Sequence, residues 1–550
     1  MIDDLWYKNA IIYSLNVGTF MDSNGDGVGD FEGLSRCLDY LSGLGVTCIW
    51  LQPFQPSPYR DAGYDITDYY GVDPRHGSSG DFVDFANQAK QRGLRIIIDL
   101  VLNHTSDQHP WFQAARADRK SKYRDWYVWS KKRPADYRKG VVFPGVQQSI
   151  WSYDKIAREW YYHRFYEFQP DLNTENPEVQ TEIQRILGYW LELGVSGFRV
   201  DAVPFMIESR MPGKKRVLNY EYLTRLRNFL QWREGDAILL GEANVVPSED
   251  KDFFGDEGDR MHMLFNFYVN QHMFYALASG DAEPLAKAIR ATQKIPEFAQ
   301  WASFLRNHDE LDLGRLTDKQ RRLVFSKFGP EKQMQLYGRG IRRRLAPMLG
   351  GRPQLELAYS LMLSVPGTPV LRYGDEIGLG DDLELKERDA VRTPMQWSDE
   401  PQAGFSTAPK TILPVIDEGV WSYKLINVAT QRCDPNSMLN WTERMIRFRK
   451  ECPEVGWGTC TILKTGSPSV LALRYDWRNN SLLTLHNFDD KPTSVLLDVG
   501  VKEGDRLVNL LVRDESRAGP NGKHTIVLEG YGYRWFRVGG LNYILNREKY

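Results

Sequence analysis

One repeated unit limits how this chain can fold more than any other feature: an amphipathic helix, a glycine, then a short apolar strand. In the clearest copy, Asn176 can cap the helix, and Pro177 suits its first turn because that position needs no N–H. Gly194 follows the helix at a position that favours a left-handed C-cap, and the apolar segment 195–201 comes next. The apolar stripe of the helix consists of Val179, Ile183, Ile186, Leu187 and Trp190.

In two earlier copies of the unit, the helix is followed by Gly45 or Gly93, and the strand then covers 46–51 or 94–102. Five more apolar runs are strand candidates, at 10–15, 237–242, 261–266, 301–307 and 368–374. Strands that alternate with helices along the chain pair in parallel, with the helices as crossovers. Eight such strands fit a closed barrel better than an open doubly wound sheet. The predicted fold class is therefore α/β, a (β/α)₈ TIM barrel.

Two regions break this rhythm. The segment after the third strand is rich in Trp, Tyr, Lys and Arg and shows no repeat, which predicts an inserted subdomain. Near the end of the chain, short alternating apolar runs replace the helices and predict a C-terminal antiparallel β-sandwich. The predicted domains are the barrel over residues 1–104 and 173–455, the insert over 105–172, and the C-terminal domain over 456–550.

Composition and charge exclude several classes of function. Lys plus Arg number 70 and Asp plus Glu number 72, so no excess of positive charge is available to track phosphates, and nucleic acid is not an expected partner. The cysteines are odd in number and form no C-x-x-C pair, which argues against a zinc site and a disulfide framework. Neither a signal peptide nor an apolar run of about 18 residues is visible, so we expect a cytoplasmic protein without a membrane partner. The sequence leaves open whether the chain forms a homo-oligomer.

Polar residues stand at the ends of several predicted strands, where barrels of this kind carry their active sites. A single aspartate at such a point is more often a cap for the following helix. Four acids together with two histidines and an arginine favour an active site instead. These residues are Asp99 and His104 after the third strand, Arg199 and Asp201 on the fourth, Glu242 after the fifth, and His308 and Asp309 after the seventh.

The spacing of these acids suits glycosidic cleavage, which needs one ionised and one protonated carboxyl group beside the same bond. Arg199 and Asp201 are two residues apart on a strand, so their side chains share a face. We expect the guanidinium to lower the pKa of Asp201 and to keep it a carboxylate, suited to nucleophilic attack. Glu242 follows an apolar strand, where burial is expected to raise its pKa and suit it to proton donation. The separation of the two groups does not follow from the sequence, so retaining and inverting chemistry both stay open at this point.

Four segments, in chain order, resemble the four signature regions of the α-amylase family, glycoside hydrolase family 13. They are DLVLNH (99–104), GFRVDAV (197–203), GEAN (241–244) and RNHDE (306–310). The resemblance implies a retaining enzyme that acts on small α-glucosides through a covalent glucosyl intermediate. It assigns Asp201 as the nucleophile, Glu242 as the general acid/base and Asp309 as the transition-state stabiliser. It further implies that the substrate is held by Tyr64, Asp65, His104, Arg199, His308, Glu310 and Arg392.

Within this family the chain is most similar to the trehalose synthases, for example over 11–34, 340–350 and 366–378. That similarity implies an isomerase that cleaves maltose, retains the released glucose and returns it through its O1. Members of that group carry a Tyr four residues past the nucleophile and a Glu five residues past the stabiliser, where this chain has Phe205 and Gly314. The alternative is therefore an α-glucosidase or transglucosylase, in which water or another acceptor takes the glucosyl group. A catalytically silent binding scaffold is disfavoured because no member of the triad is missing.

A glycine-rich loop predicts a structural Ca²⁺, because it places oxygen ligands at alternate positions. The loop is not an EF-hand, since its twelfth position is Gly33 rather than Glu. A glycine-rich turn without a metal is the alternative. The predicted ligands are Asp22, Asn24, Asp26, Val28 and Asp30. The family resemblance implies a second structural Ca²⁺, held by Asn103, Asp171 and Glu208.

Overall fold

A closed barrel of eight parallel strands forms the centre of the computed structural model, which describes residues 3–210 and 217–539. The strands follow one another around the barrel in chain order, and each overlaps one of the eight predicted segments. They are β1 (Ile12–Leu15), β2 (Cys48–Leu51), β3 (Arg95–Leu100), β4 (Gly197–Val200), β5 (Ile238–Gly241), β6 (Met263–Phe265), β7 (Gln300–Phe304) and β8 (Thr368–Arg372). The predicted (β/α)₈ barrel is thus confirmed.

Both faces of the barrel strands are buried, which explains why the strands are apolar throughout rather than alternating. One set of side chains fills the barrel interior as a separate cluster, and the other set packs beneath the surrounding helices. The interior set is Ile12, Cys48, Trp50, Ile97, Ile238, Leu240, Met263, Phe265, Ala302, Phe304 and Val370. The barrel is therefore a packed core, and a cavity can form only at its ends.

The helices begin and end where the chain supplies local signals. Asn176 accepts a hydrogen bond from the backbone N–H of Glu178, and Pro177 is the first residue of its helix. Gly45 and Gly194 follow their helices with φ of +95° and +97°, a conformation that glycine adopts without a steric penalty. The helices are Phe31–Arg36, Leu38–Leu44, Ser79–Gln91, Pro110–Ala117, Pro177–Glu192, Val203–Met206, Tyr220–Arg233, Pro247–Phe254, Phe267–Ser279, Glu283–Thr292, Asp318–Phe328, Leu345–Leu349, Arg352–Ser364, Val428–Cys433, Met438–Lys450 and Glu454–Trp457. Within the described ranges, no helix is both long and apolar enough to cross a membrane.

The insert between β3 and β4 contains a small antiparallel sheet with the strands Trp129–Ser130, Trp151–Asp154 and Glu159–Tyr162. Its aromatic rings pack on one another: Phe112 stacks on Trp129, and Trp111 lies edge-on to Trp126. The tryptophans of the insert therefore build a local core. The insert returns to the barrel through a bridge that pairs His104 with Asp171.

The C-terminal part is antiparallel β-structure, as the alternating pattern predicts. A six-stranded sheet and a two-stranded sheet enclose their own apolar core, and Trp535 Nε1 donates to Ser360 Oγ of a barrel helix at 2.9 Å. Residues 540–550 of the predicted C-terminal domain lie outside the described residues. The larger sheet has the order Thr459–Leu463, Val470–Trp477, Asn480–Asn487, Tyr533–Val538, Arg506–Asn509, Glu515–Arg517, and the smaller one pairs Thr493–Asp498 with Lys523–Leu528.

Candidate active site

A cavity of about 480 Å³ lies at the carboxyl ends of the barrel strands, a volume within the range of small-molecule sites. The three predicted catalytic acids all line it: Asp201 follows β4, Glu242 follows β5 and Asp309 lies beyond the end of β7. Their side chains are 11%, 23% and 18% exposed, so each is mostly desolvated yet reachable from the cavity. The strand ends thus bring together three acids, of which the first and the last are more than a hundred residues apart in the sequence.

Arg199 connects two of these acids, Asp201 and Glu242, with Asp99 from behind the cavity wall. Its Nη1 donates to Oδ1 of Asp201 at 2.6 Å and to Oδ1 of Asp99 at 2.7 Å. Its Nη2 lies 2.8 Å from Oε2 of Glu242. The contact with Asp201 follows from the two-residue spacing, whereas the contact with Glu242 depends on the pairing of β4 with β5 and could not be read from the sequence. One buried cation therefore compensates three carboxylates.

Burial dominates the protonation of Asp201 and Glu242. It raises the pKa of Asp201 to about 6, although Arg199 opposes the shift. The expected lowering by Arg199 is therefore wrong in net direction, because the loss of water outweighs one ion pair. Burial also raises the pKa of Glu242 to about 7, helped by the charges of Asp201 and Asp309. Near neutral pH the site can hold Asp201 ionised and Glu242 protonated, the division of labour that glycosidic cleavage requires.

Asp309 is the most firmly ionised of the three acids. Burial alone would raise its pKa, but Arg388, His308 and Arg392 outweigh it and hold the pKa well below its usual range. Arg388 Nη1 and Arg392 Nη2 each lie 3.1 Å from Oδ1 of Asp309. Arg388 Nε also lies 2.8 Å from Oε2 of Glu310. Glu310, which was predicted to hold the substrate, lines the cavity. Arg388 is a residue that sequence reasoning missed, because it follows no strand and belongs to no recognised motif.

A wall of aromatic and imidazole rings stands beside the acids. The Tyr64 ring stacks on His308 with centroids 5.5 Å apart, and its hydroxyl lies 2.7 Å from Nε2 of His308. The same hydroxyl donates to Asp99 at 3.2 Å. His104 lines the cavity, and its Nε2 lies 3.1 Å from the carbonyl oxygen of Tyr64. Tyr64 and His104 therefore face the cavity, whereas His308 supports Tyr64 and Asp309 from behind.

Asp65 does not reach the cavity, contrary to the prediction. Its side chain is fully buried and turned toward its own loop, where it accepts from Ser57 Oγ at 2.9 Å and from the backbone N–H groups of Arg60 and Asp61 at 3.2 Å. Asp61 lines the cavity instead. The turn of the loop decides which carboxylate faces the cavity, and no sequence pattern signals that turn. Arg392 does not line the cavity either; it donates to Oδ1 of Asp309 and to the carbonyl oxygen of His308.

The roof of the cavity is built from the insert and from the loops that follow β7 and β8. Arg339 donates to Oδ2 of Asp312 at 2.7 Å and to the carbonyl oxygen of Val142 in the insert at 3.1 Å. Tyr166 of the insert and Tyr337 both donate to Oε2 of Glu387, at 3.0 and 3.2 Å. We call these contacts the roof contacts. They tie the insert to the barrel loops, and Val142, Asp312 and Arg339 line the cavity. Phe205 and Gly314, the two departures noted in the sequence, also line this cavity.

The glycine-rich loop carries oxygen atoms of the kind that bind Ca²⁺, and Asp30 is the one predicted ligand that is engaged elsewhere. Asp22 accepts backbone N–H groups of its own loop and the hydroxyl of Ser406, and Asn24 and Asp26 accept from the N–H two residues on. Asp30 instead caps the following helix through Gly33 and binds Ser23. Over the described ranges, no group of three or more His, Cys, Asp or Glu side chains is arranged to hold a metal. A calcium ion at this loop stays a prediction, without Asp30 as a ligand.

At the second predicted calcium site, a guanidinium lies among the oxygens that would bind the ion. The guanidinium of Arg210 donates to Oδ1 of Asn103 and lies 3.4 Å from Oδ2 of Asp171. Glu208, the third predicted ligand, forms an ion pair with Arg164. A positive charge of the chain itself therefore occupies the place that the ion would take, which corrects the prediction for Asn103, Asp171 and Glu208.

A family model described as "Alpha amylase, catalytic domain" matches residues 15–336 and 342–458, and one described as "Sucrose hydrolase-like, C-terminal domain" matches 480–537. The chain is 42% identical to the "Trehalose synthase" of Thermus thermophilus over 99% of its own length and 57% of that protein. It is 41% identical to the "Trehalose synthase" of Pimelobacter sp. (strain R48), over 97% and 96% of the two chains. The crystal structure of the trehalulose synthase MutB from Pseudomonas mesoacidophila MX-45 is similar with a TM-score of 0.76 and 27% identity, over 97% of this chain and 99% of that chain.

Proposed function

Because this chain belongs to the α-amylase family, whose catalytic-domain model matches it over residues 15–336 and 342–458, we propose that it interconverts maltose and trehalose through a covalent glucosyl-enzyme intermediate. The chain is an enzyme that hydrolyses or transfers α-glucosyl groups. The observation that carries the proposal is the convergence of Asp201, Glu242 and Asp309 on one cavity. The two trehalose synthases that match almost the whole chain support the choice of substrates.

The contact of both reacting carboxyl groups with one guanidinium supports a retaining mechanism. Asp201 and Glu242 are held by the two terminal nitrogens of one guanidinium, Arg199, at 2.6 and 2.8 Å. Retaining glycosidases keep these groups roughly 5 Å apart, whereas inverting enzymes need about 6.5–9.5 Å to admit a water molecule. Two carboxylates that share one guanidinium fit the shorter distance.

In the first step, the non-reducing glucose of maltose lies against Tyr64 and His104, with its C1 beside Asp201. The carboxylate of Asp201 attacks C1, the bond from C1 to the bridging oxygen breaks, and Glu242 gives its proton to that oxygen. One glucose is then bonded to Asp201 and the other is free in the cavity. Asp309, which stays ionised, accepts hydrogen bonds from sugar hydroxyls while positive charge develops at C1.

In the second step, the free glucose turns and presents its O1 to the intermediate. Glu242, now a carboxylate, takes the proton from that hydroxyl, the O1 attacks C1, and the bond to Asp201 breaks. The product is trehalose, and the reverse sequence regenerates maltose. If water attacks in place of the sugar, the same chemistry yields two molecules of glucose.

The choice between isomerase and hydrolase depends on how well the cavity retains glucose. Phe205 and Gly314 lack the polar groups that trehalose synthases carry at those positions, which favours the α-glucosidase or transglucosylase alternative. The roof contacts favour retention of glucose, because Glu387 and Arg339 tie the insert to the barrel loops without the two missing polar groups. We place more weight on the roof contacts, since three of their residues, Val142, Asp312 and Arg339, line the cavity.

Incubation with maltose tests the proposed function. Because the roof retains the released glucose, trehalose is expected to exceed glucose among the early products, and trehalose as the starting sugar should yield maltose. Chromatography of the sugars over time measures both ratios. Glucose as the sole product from either sugar would eliminate the isomerase and leave the hydrolase.

Replacing Glu387 with Ala is expected to raise the ratio of glucose to trehalose by about three- to tenfold. The change removes two hydrogen bonds to a carboxylate, each contributing on the order of 1 kcal/mol at a half-buried position, so the roof opens more often to water. The matched control is Glu384→Ala, an exposed carboxylate three residues away, which should leave the ratio as in the wild type. An unchanged ratio in Glu387→Ala would show that this bridge does not retain glucose.

A further inference from the structure

We propose that Arg210 takes the place of a structural calcium ion at the junction of the insert and the barrel, and that it positions His104 in the glucose pocket. The junction is the point where β3, the end of the insert and the loop after β4 meet. The calcium expected there from the family resemblance would need the oxygens that this guanidinium already engages. The structural half of the inference is independent of the proposed reaction.

The oxygens around Arg210 form a cage. Its Nη1 donates to the carbonyl oxygens of Asn103, at 3.3 Å, and Leu172. Its Nη2 donates to Oδ1 of Asn103 and to the carbonyl oxygen of Phe205. Oδ2 of Asp171 lies 3.4 Å from its Nε as an ion pair. One carboxylate, one side-chain amide and three backbone carbonyls make a donor set of the kind that Ca²⁺ prefers.

A guanidinium and a calcium ion cannot share this cage. The side chain of Arg210 is only 3% exposed, so it fills the space and does not line it. Both cations would lie in a poorly solvated region, where like charges a few ångströms apart repel strongly. The five N–H donors of an arginine, in contrast, can serve several oxygens at once. The covalently attached cation therefore replaces the diffusible one.

The cage also explains how Asp171 is tolerated in the interior. Asp171 is fully buried, and burial raises its pKa, while Arg210, His104 and Arg164 oppose that shift. The backbone N–H of Arg164 donates to its Oδ1 at 2.9 Å. A buried carboxylate needs such a counter-charge, and its loss leaves an uncompensated charge that destabilises the fold. Removal of Arg210 thus creates a site that attracts a cation.

Arg210 reaches the glucose pocket through two neighbours. Asn103 accepts from Arg210 through Oδ1, and its Nδ2 lies 3.2 Å from Nδ1 of His104, whose ring lines the cavity. Arg210 also holds the carbonyl oxygen of Phe205, a cavity-lining residue four positions after Asp201. Arg210 itself does not line the cavity. It is therefore a positioning residue, and its loss should affect substrate binding more than the chemical step.

The test compares the wild type with Arg210→Ala by thermal unfolding and calcium content, each after chelation and with added CaCl₂. In chelator, Arg210→Ala is expected to unfold about 5 °C lower than the wild type. Added CaCl₂ should restore most of that loss, and the variant should bind one calcium ion per chain more than the wild type. The difference in calcium content between variant and wild type excludes any calcium bound at the Asp22 loop, because both proteins contain that loop. Arg225→Ala, an arginine on an exposed helix face, is the matched control and should show no extra calcium.

The kinetic readout separates positioning from simple destabilisation. In chelator, KM for maltose should rise severalfold in Arg210→Ala with a smaller change in kcat, and CaCl₂ should bring KM back. If that variant does not fold, Arg210→Gln, which also removes the positive charge, replaces it. The inference is overturned if wild-type protein carries a calcium ion that Asp171→Asn removes, or if neither variant gains calcium over the wild type. The calcium measurements need no substrate. They can therefore contradict this inference while the proposed reaction holds, and they can support it even if the proposed reaction is wrong.

Discussion

Replacing Asp201 with Asn is expected to lower kcat for both maltose and trehalose by about 10⁴-fold or more, because an amide cannot form the bond to C1. The change preserves the shape of the side chain, so the fold and the cavity should persist. Initial rates with each sugar, together with circular dichroism of the variant, check the expectation. Asp84→Asn, an exposed carboxylate on the helix Ser79–Gln91, is the control and should keep full activity.

A second variant distinguishes a nucleophile from a residue that only shapes the pocket. In Asp201→Ala the vacated space can admit azide, which should restore turnover of an aryl α-glucoside and yield a β-glucosyl azide. The inverted product follows because the small anion attacks C1 from the face that Asp201 used. Residual activity of Asp201→Asn above about one part in 100, or no effect of azide, would remove Asp201 from the role of nucleophile.

Glu242→Gln is expected to lower kcat for maltose by roughly 10²–10⁴-fold, because the bridging oxygen then leaves without a proton. With an aryl α-glucoside, whose leaving group needs little protonation, the first step should stay fast and the second should become slow. A burst of phenol release, followed by a slow steady state, is the expected trace. Glu249→Gln, an exposed residue on the helix Pro247–Phe254, is the matched control. Equal losses with both kinds of substrate would contradict the role of general acid.

The dependence of kcat/KM on pH should be a narrow bell in the wild type. Asp201 must be ionised, so activity rises as pH passes about 6, and Glu242 must be protonated, so activity falls as pH passes about 7. Because Arg199 couples the two groups, these limbs belong to the pair. In Glu242→Gln with an aryl α-glucoside, the alkaline limb should vanish while the acid limb stays. Persistence of the alkaline limb would assign it to another group.

Several residues show where sequence reasoning succeeds. The eight strands, the caps at Asn176 and Pro177 and the three acids at strand ends were all predicted, because these features depend on neighbours within a few residues. Strands of a parallel barrel all end at the same rim, so residues that follow them in the chain must meet in space. The local pattern was therefore sufficient to predict that Asp201, Glu242 and Asp309 lie close together.

Other residues show where it fails. Asp65 was expected at the substrate and lies buried in its own loop, while Asp61 faces the cavity. Arg388 contacts Asp309 from a segment that carries no strand or motif. In both cases the direction of a side chain is decided by the path of a long loop, and no local periodicity constrains that path.

By itself, the amino-acid sequence determined the alternation of strands and helices, the closure of the barrel and the chemical type of the residues at its rim. These follow from the spacing of apolar side chains and from caps and turns, which act over a few residues. Only the tertiary structure decided that Asp201 has a raised pKa, that the insert is tied to the barrel loops and that Arg210 fills a cage of oxygens. Desolvation and charge compensation depend on every group within several ångströms, and those groups come from segments that are distant in the chain.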